Sequence, residues 1–360
     1  MIDLKRIRCD LHQIPEIGMH EFKTKEYLLN ILKKFKCRIF EIGETGLIAF
    51  FDFNKEDSIC FRADMDALPV NEQNDVWYKS KNLGYMHACG HDGHMSMLLG
   101  LCEYLDSLNE YKYNVSCLFQ PSEEIYGGAR SVVDSKILDK LNTKAMFGMH
   151  IWPNLAKGKI YSMPKGMLAK SAEVDIEIIG KTVHAANRDE GIDSILIASK
   201  YLINLYDLAS KIKEPHLLNF GKIEGGTIRN SVAEKTKLFA TMRAFDDQTF
   251  AILQNNLFNA SKNYNAEFNI EIRSDFPFVY NDPELIKKMD FINILEKPFM
   301  QAEDFGLYTS IYPCLFLLLG AGNTSMLHQS TFDFDMNILN DGLAAYKKIL
   351  KIMAKDQKIE

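Results

Sequence analysis

Residues 87–94 read His-Ala-Cys-Gly-His-Asp-Gly-His, and this stretch constrains the chain more than any other. One thiol and three imidazoles fall in a turn that leads into an apolar helix expected from about Met95. Thiolate plus imidazole is the donor set that zinc prefers. A helix N-terminus also lowers a thiol pKa, which favours the thiolate a cation needs. The plainer alternative is a cysteine used as a small core hydrophobe beside surface histidines. So dense a group of metal donors rarely arises that way.

A chain of 360 residues is too long for one ordinary core, so two domains are expected. Hydrophobic residues at 47% and charged residues at 25% describe a soluble globular protein. With a net charge of −6 and no basic block, nucleic acid is excluded as an expected partner. The seven cysteines are odd in number and scattered from Cys9 to Cys314. That is no disulfide framework and suits a reducing cytoplasm. The N-terminal stretch is charged from Asp3 onward and lacks the apolar centre of a signal peptide. The longest apolar run, Cys314 to Leu319, is far too short to span a bilayer, so no membrane partner is expected.

Helical spacing is expected over residues 2–11 and 21–35, and again over 95–107. Apolar, β-rich runs at 38–42, 46–52, 58–63, 114–119 and 145–149 alternate with these. Such an order predicts a mixed α/β domain with a largely parallel sheet and flanking helices. Three polar clusters follow predicted strands: Asp64 with Asp66, Glu123 with Glu124, and His150. Ligands bind at the carboxyl ends of strands in open α/β sheets, so separate parts of the chain aim acid, imidazole and thiol groups at one edge. From about Gly166 the pattern changes to β-α-β-β-α-β, with strands at 172–179, 217–224, 234–244 and 266–273 and helices at 193–213 and 247–262. This predicts an inserted ferredoxin-like α+β lid. The expected division is 1–166 and 278–360 for a catalytic metal-binding domain and 167–277 for a lid and dimerisation domain. A strand at 315–319 and a final helix from Asp341 complete the first domain.

Taken singly the polar residues are weak signals. Adjacent Glu123 and Glu124 point apart in an extended segment, so one suits a cation and the other a water on it. A Glu-Glu pair is otherwise a solvated surface. His150 and His328 suit either a structural or a ligand role. One of Asp64 and Asp66 suits the orientation of a ligating imidazole, and the alternative is a turn before Pro69.

Their order along the chain is far more specific. It resembles the zinc peptidase and aminoacylase superfamily known as M20, in the amidohydrolase branch that holds hippurate hydrolase, plant auxin-conjugate hydrolases and N-acetyldiaminopimelate deacetylase. The matching segments are His12-x-x-Pro15-Glu16-x-Gly18, RADMDALP at 62–69, HACGHDGH at 87–94, FQPSEE at 119–124, Gly127-Gly128-Ala129-Arg130 and GMH at 148–150. GKTVHAA at 180–186, Gly191-Ile192-Asp193, Gly225-Gly226-Thr227-x-x-Asn230, Ala302-Glu303-Asp304-Phe305 and Leu327-His328 continue it. The likeness runs from about residue 8 to the C-terminus.

The resemblance implies a zinc-exopeptidase-like fold and two divalent metal ions, zinc first and manganese, cobalt or nickel as alternatives. Cys89, His91, Glu124, His150 and His328 match the metal ligands, with Cys89 between the two ions. Glu123 matches the general base, and Asp64 or Asp66 the catalytic-site aspartate. His184 matches a lid histidine that reaches the partner subunit's site in dimers of the superfamily, which implies a homodimer through the lid. Asn230 and Arg243 match positions where the lid meets the substrate carboxylate. The implied reaction is hydrolysis of a small N-acyl amino acid, N-acetyl-diaminopimelate or a hippurate-like compound, by a metal-activated water.

Arg188 stands where the family pattern usually has Pro. It fits either a bias towards acidic substrates or a solvated surface charge. The stretch 281–301 is shorter than the family pattern. Other readings are a dipeptidase, a thiol enzyme with Cys89 as nucleophile and His91 as base, and a catalytically degenerate metal-binding or dimerisation scaffold. Against the last, the base and every expected ligand occur together.

Overall fold

The computed structural model describes residues 2–125 and 127–355. The chain divides into two compact units. One holds the residues up to Lys165, Tyr280–Glu296 and those from Leu307 onward. The other holds Gly166–Val279 and Lys297–Gly306. Residues 297–306 were expected in the catalytic domain but cluster with the second unit. Backbone hydrogen bonds tie them there: Phe299 N–H donates to Met167 O and Ala169 N–H to Gln301 O, both at 2.9 Å.

The first unit is built on an eight-stranded sheet. From one edge its strands are Arg38–Ile42, Gly46–Phe51, Asn114–Gln120, Ser58–Asp64, Thr143–Pro153, Cys314–Gly322, Ile160–Ser162 and Asn293–Ile294. The middle four, Asn114–Gln120 through Cys314–Gly322, are mutually parallel. Gly46–Phe51, Ser58–Asp64 and Asn114–Gln120 are buried at every residue, which is why they read as continuous apolar runs rather than alternating ones. The helices Leu4–His12, His91–Asp106 and Ile338–Lys355 share one apolar core with this sheet. Gly100 lets them approach: a Cβ there would stand 2.8 Å from Leu4 Cδ2 and 2.9 Å from Leu343 Cδ2.

Strand register decides which side chains share the sheet edge. Asp64 pairs with Gln120, so Asp64 and the segment 121–124 leave the sheet together. Arg62 pairs with Gly148, and two residues beyond them on the same two strands stand Asp64 and His150. His150 was expected just past a strand ending at residue 149. It lies within the strand Thr143–Pro153, opposite Leu318.

The second unit has a four-stranded antiparallel sheet in the order Glu267–Phe276, Lys170–Ile179, Lys235–Ala244, His216–Gly225. The helices Ser194–Ser210 and Asp247–Ser261 pack on it through Val174, Ile176, Tyr201, Leu205, Leu238, Leu253 and Leu257. This is the βαββαβ arrangement expected from the period-two pattern of Lys170–Ile179, where buried and more exposed residues alternate. Asp193 and Asp246 cap the two helices by accepting from Leu196 N–H and Thr249 N–H. Each such cap contributes about 1 kcal/mol. No described helix is long and apolar enough to cross a membrane.

Candidate metal centre

The motif folds as a turn followed by a helix that begins at His91, four residues earlier than expected. Gly90 makes the turn in the left-handed region, with φ +83°. Cys89 and His91 therefore lie on either side of a sharp bend, both buried. His328 comes in from the last part of the chain with φ +67°, a conformation that costs a non-glycine residue about 1–3 kcal/mol. Its backbone N–H is held by Ala88 O at 2.8 Å.

These segments meet at one sulfur. Cys89 Sγ is 3.4 Å from His150 Nε2 and 3.4 Å from His328 Nε2. Two donors on one tetrahedral zinc stand about 3.5 Å apart, given bonds of about 2.3 Å to sulfur and about 2.1 Å to nitrogen. The potential ligand atoms of Cys89, His91 and His150 form one group within 4.8 Å of one another, and those of Cys89, Glu124 and His328 form a second. Cys89 belongs to both. A third group joins His91, Glu123 and Glu124. His91 Nε2 is buried without a hydrogen-bond partner among the described residues, and Glu124 Oε1 meets no hydrogen-bond geometry there although it stands 3.3 Å from His328 Nε2. Burying polar atoms in that way is costly unless something else satisfies them. Orphaned donors around a shared thiol fit divalent cations.

The surrounding residues fix which nitrogen each imidazole presents. His91 Nδ1 lies 2.9 Å from Asp66 O, and its proton there leaves Nε2 with its lone pair free. His150 Nδ1 is likewise engaged with Ile151 O at 2.7 Å, which leaves Nε2 towards Cys89. His94 is different. Its Nε2 accepts from Ile151 N–H at 2.9 Å, so its proton is on Nδ1, 2.6 Å from Asp64 Oδ1. Both nitrogens are used, and His94 has no lone pair left for a cation. Among the described residues, His87 is buried with neither nitrogen hydrogen-bonded and joins no ligand group; burial pushes its pKa down to about 4.

The two aspartates have separate tasks. Asp64 accepts from His94 and, at 2.8 Å, from Arg62. Burial opposes its charge, but His91, His94 and Arg62 hold its carboxyl well below the usual range. Asp66 accepts Glu123 N–H at 3.0 Å on one oxygen and Glu124 N–H at 2.9 Å on the other. It therefore clamps the Glu-Glu segment from below. Glu21, unnoticed in the sequence, steadies the same loop by accepting Ser122 N–H at 2.8 Å.

Electrostatics show what the pocket lacks. Burial disfavours the His91 imidazolium, yet Asp64, Asp66 and Glu124 outweigh it and push its pKa up to about 10. Cys89 was expected to have a lowered pKa. Burial, and then Glu124 and Glu123, raise it well above the ordinary thiol value instead. The helix N-terminus does not overcome a low-dielectric, carboxylate-rich setting. Positive charge is what would make this group of donors compatible.

In the second unit, His184 is exposed and accepts Ala186 N–H, and its segment bridges to Ser231, so His184 and Asn230 share one corner. Arg243 stands near the other end of the strand Lys235–Ala244, with its guanidinium donating to Met300 O. Arg188 is exposed and paired with Asp193 at 3.1 Å, as a solvated surface charge would be.

Comparison with known proteins agrees with this geometry. Residues 60–352 match the model of peptidase family M20/M25/M40. The chain belongs to that family. It is 31% identical to an N-acetyldiaminopimelate deacetylase of Lactobacillus acidophilus, over 97% of each chain. It is 33% identical to one of Listeria innocua, over 90% of this chain and 92% of the relative. Its fold superposes on a dinuclear metal binding peptidase of the M20 family from Bacillus subtilis with a TM-score of 0.87 at 26% identity, over 98% of each chain. The M20 chain described here is accordingly a metal-binding hydrolase of amide bonds.

Two outcomes follow from the geometry. Replacing Asp66 with Asn turns one acceptor into a donor that faces a backbone N–H, so the Glu123–Glu124 segment shifts. Turnover should fall about 100-fold with the fold kept, as checked by steady-state kinetics and circular dichroism; unchanged turnover would remove Asp66 from the site. The second concerns His12. Burial and the Arg8 charge lower its pKa, but Asp92 at 2.6 Å and Glu72 at 3.2 Å more than compensate, and the folded value is raised. His87 and Tyr78 also face its ring. Protonated His12 thus stabilises the fold fully below the ordinary value of about 6.5, and the contribution is lost as pH rises through the folded value. The stability gap between wild type and His12→Gln in chelator should narrow from acid to alkaline pH; a constant gap would assign His12 a neutral role.

Proposed function

We propose that the chain hydrolyses the amide bond of an N-acyl amino acid. N-Acetyl-diaminopimelate is the leading substrate and a hippurate-like compound its rival. The observation that carries this reading is the shared Cys89 sulfur, with His91 Nε2 orphaned beside it and Glu124 Oε1 3.3 Å from His328 Nε2. The names of the deacetylase relatives support the choice of substrate.

Cys89, His91, Glu124, His150 and His328 would hold two divalent cations, zinc first because of the thiolate and manganese, cobalt or nickel otherwise. Bound there, the cations supply Lewis acidity: a water of lowered pKa and a polarised carbonyl. Glu123, its backbone pinned by Asp66, takes the proton of the attacking water and passes it to the departing amine nitrogen. His184, by the resemblance a residue that reaches a partner subunit's site, is proposed to stabilise the oxyanion, and Asn230 and Arg243 to bind the substrate carboxylate. A Cys89 nucleophile is disfavoured, since its buried thiol is pushed up in pKa where a nucleophile needs it lowered.

A homodimer through the second unit belongs to the same proposal. The edge strand His216–Gly225 and the exposed Ile195, Ile203 and Tyr206 of one helix support it, because unpaired edges and apolar stripes favour isologous pairing. A cytoplasmic setting is supported by seven cysteines that are all free.

Elemental analysis should find about two metals per chain, as two adjacent ligand groups that share one thiolate require. EDTA should abolish release of amino acid from a panel of N-acetyl-diaminopimelate, hippurate, N-acetyl-methionine and a dipeptide, and added metal should restore it. Glu123→Gln should keep its metal and lose about 100- to 10,000-fold in turnover. Retained turnover would overturn the base, and absence of metal would turn the reading towards a degenerate scaffold. Light scattering should give a dimer mass that Ile203→Glu reduces to a monomer; an unchanged mass would place the interface elsewhere.

A further inference from the structure

Below the candidate metal centre lies a buried ionic brace that supplies no ligand. Arg8, on the helix Leu4–His12, is fully buried. Its Nε is 2.9 Å from Asp92 Oδ2 and its Nη2 is 3.0 Å from Asp333 Oδ1. The guanidinium carbon lies 4.8 Å from the ring centre of Tyr78 and 4.7 Å from that of Phe334. The Tyr78 hydroxyl donates to the other oxygen of Asp333 at 2.7 Å. Asp92 is bonded directly to His91 in the chain. Asp333 closes the base of the loop that presents His328, because the Thr324 hydroxyl donates to Asp333 O. The two arms of one guanidinium therefore end on the two segments that bring His91 and His328.

We propose that Arg8 is a positioning residue that sets the separation between the His91 and His328 sides of the centre. Its nitrogens stand at ion-pair distance from both carboxylates without meeting hydrogen-bond angles among the described residues, so the planar fork, packed against two rings, sets the separation by charge and packing, which a flexible ammonium does less well. The loop that carries His328 in its left-handed backbone conformation is anchored at its base by the Thr324 hydroxyl on Asp333 O and at its tip by Ala88 O. This inference rests on the metal-ligand reading given above.

Cobalt titration of the chelated full-length protein tests it, followed by calorimetry and by thiolate-to-cobalt absorption. Arg8→Met would leave two carboxylates uncompensated, so the variants are Arg8→Lys and Asp333→Asn. The second removes the charge from one arm at a side chain that is 28% exposed, and circular dichroism checks that the fold is kept. Leu32→Ala, a core change away from the brace, is the control for lost stability alone. Both brace variants should bind cobalt about tenfold more weakly and with an altered absorption band. Leu32→Ala should lower the melting temperature and leave both unchanged. Wild-type affinity and spectrum in Arg8→Lys and Asp333→Asn would overturn the brace, as would equal weakening in Leu32→Ala. If the wild type itself binds no cobalt, the failure is that of the metal-ligand reading.

Discussion

The structure depends on one electrostatic constraint: Asp64, Asp66, Glu124 and the Cys89 thiol are confined together out of water. The two carboxylate oxygens nearest His91 Nε2 are 3.7 and 3.8 Å away. Opposite charges at that range attract by about 4 kcal/mol at an effective dielectric constant of about 20, before desolvation is subtracted. Without a cation, the pocket draws that charge from protons, and the raised His91 pKa records it. The raised Cys89 pKa is the same demand seen from the thiol. On the proposed ligand set a proton and a cation would compete for the same donors, which would link occupancy of the centre to pH and to stability.

The hydrogen bonds around this pocket sort four of its imidazoles, those of His87, His91, His94 and His150, by role. His91 and His150 each spend Nδ1 on a backbone carbonyl and keep Nε2. His94 spends both nitrogens and ties Asp64 to the backbone of the strand that carries His150. His87 spends neither. The distinction depends on which groups lie behind each ring, and the motif as a string of letters does not contain it.

That difference marks what was legible in the sequence. Strand runs and helical spacing were enough for the parallel sheet and for the βαββαβ insertion, because buried strands and amphipathic helices have periods that can be read locally. Cys89, His91, Glu123, Glu124, His150 and His328 stood out because their donor chemistry is rare in such order. The separate tasks of Asp64 and Asp66 were not legible, since one ends a strand and the other stands two residues on, and only the third dimension shows which groups each one faces. The same holds for Glu21, which reaches Ser122 from 101 residues away. Arg8 and His12 carried a faint signal. They stand four apart on the face of the first helix that also buries Leu4, Ile7 and Leu11, where a charge is out of place.

A charge on an apolar stripe tends to be discounted as noise in an amphipathic pattern, yet the energetics argue the other way. Burying a guanidinium with two carboxylates adds little or nothing to stability compared with well-packed apolar residues. What such a group adds is geometry, because two carboxylates drawn to one buried guanidinium are held at a set separation. The candidate centre draws donors from four stretches of chain, near residues 89, 124, 150 and 328, and apolar packing alone tolerates small slips among them. The N-terminal helix has no ligand to give. Its buried Arg8 reaches the segments on two sides of the centre, and a misplacement of either would leave a charge unpaired in the core. Precision at a polyvalent site is thereby obtained from residues whose own contribution to stability is close to nil.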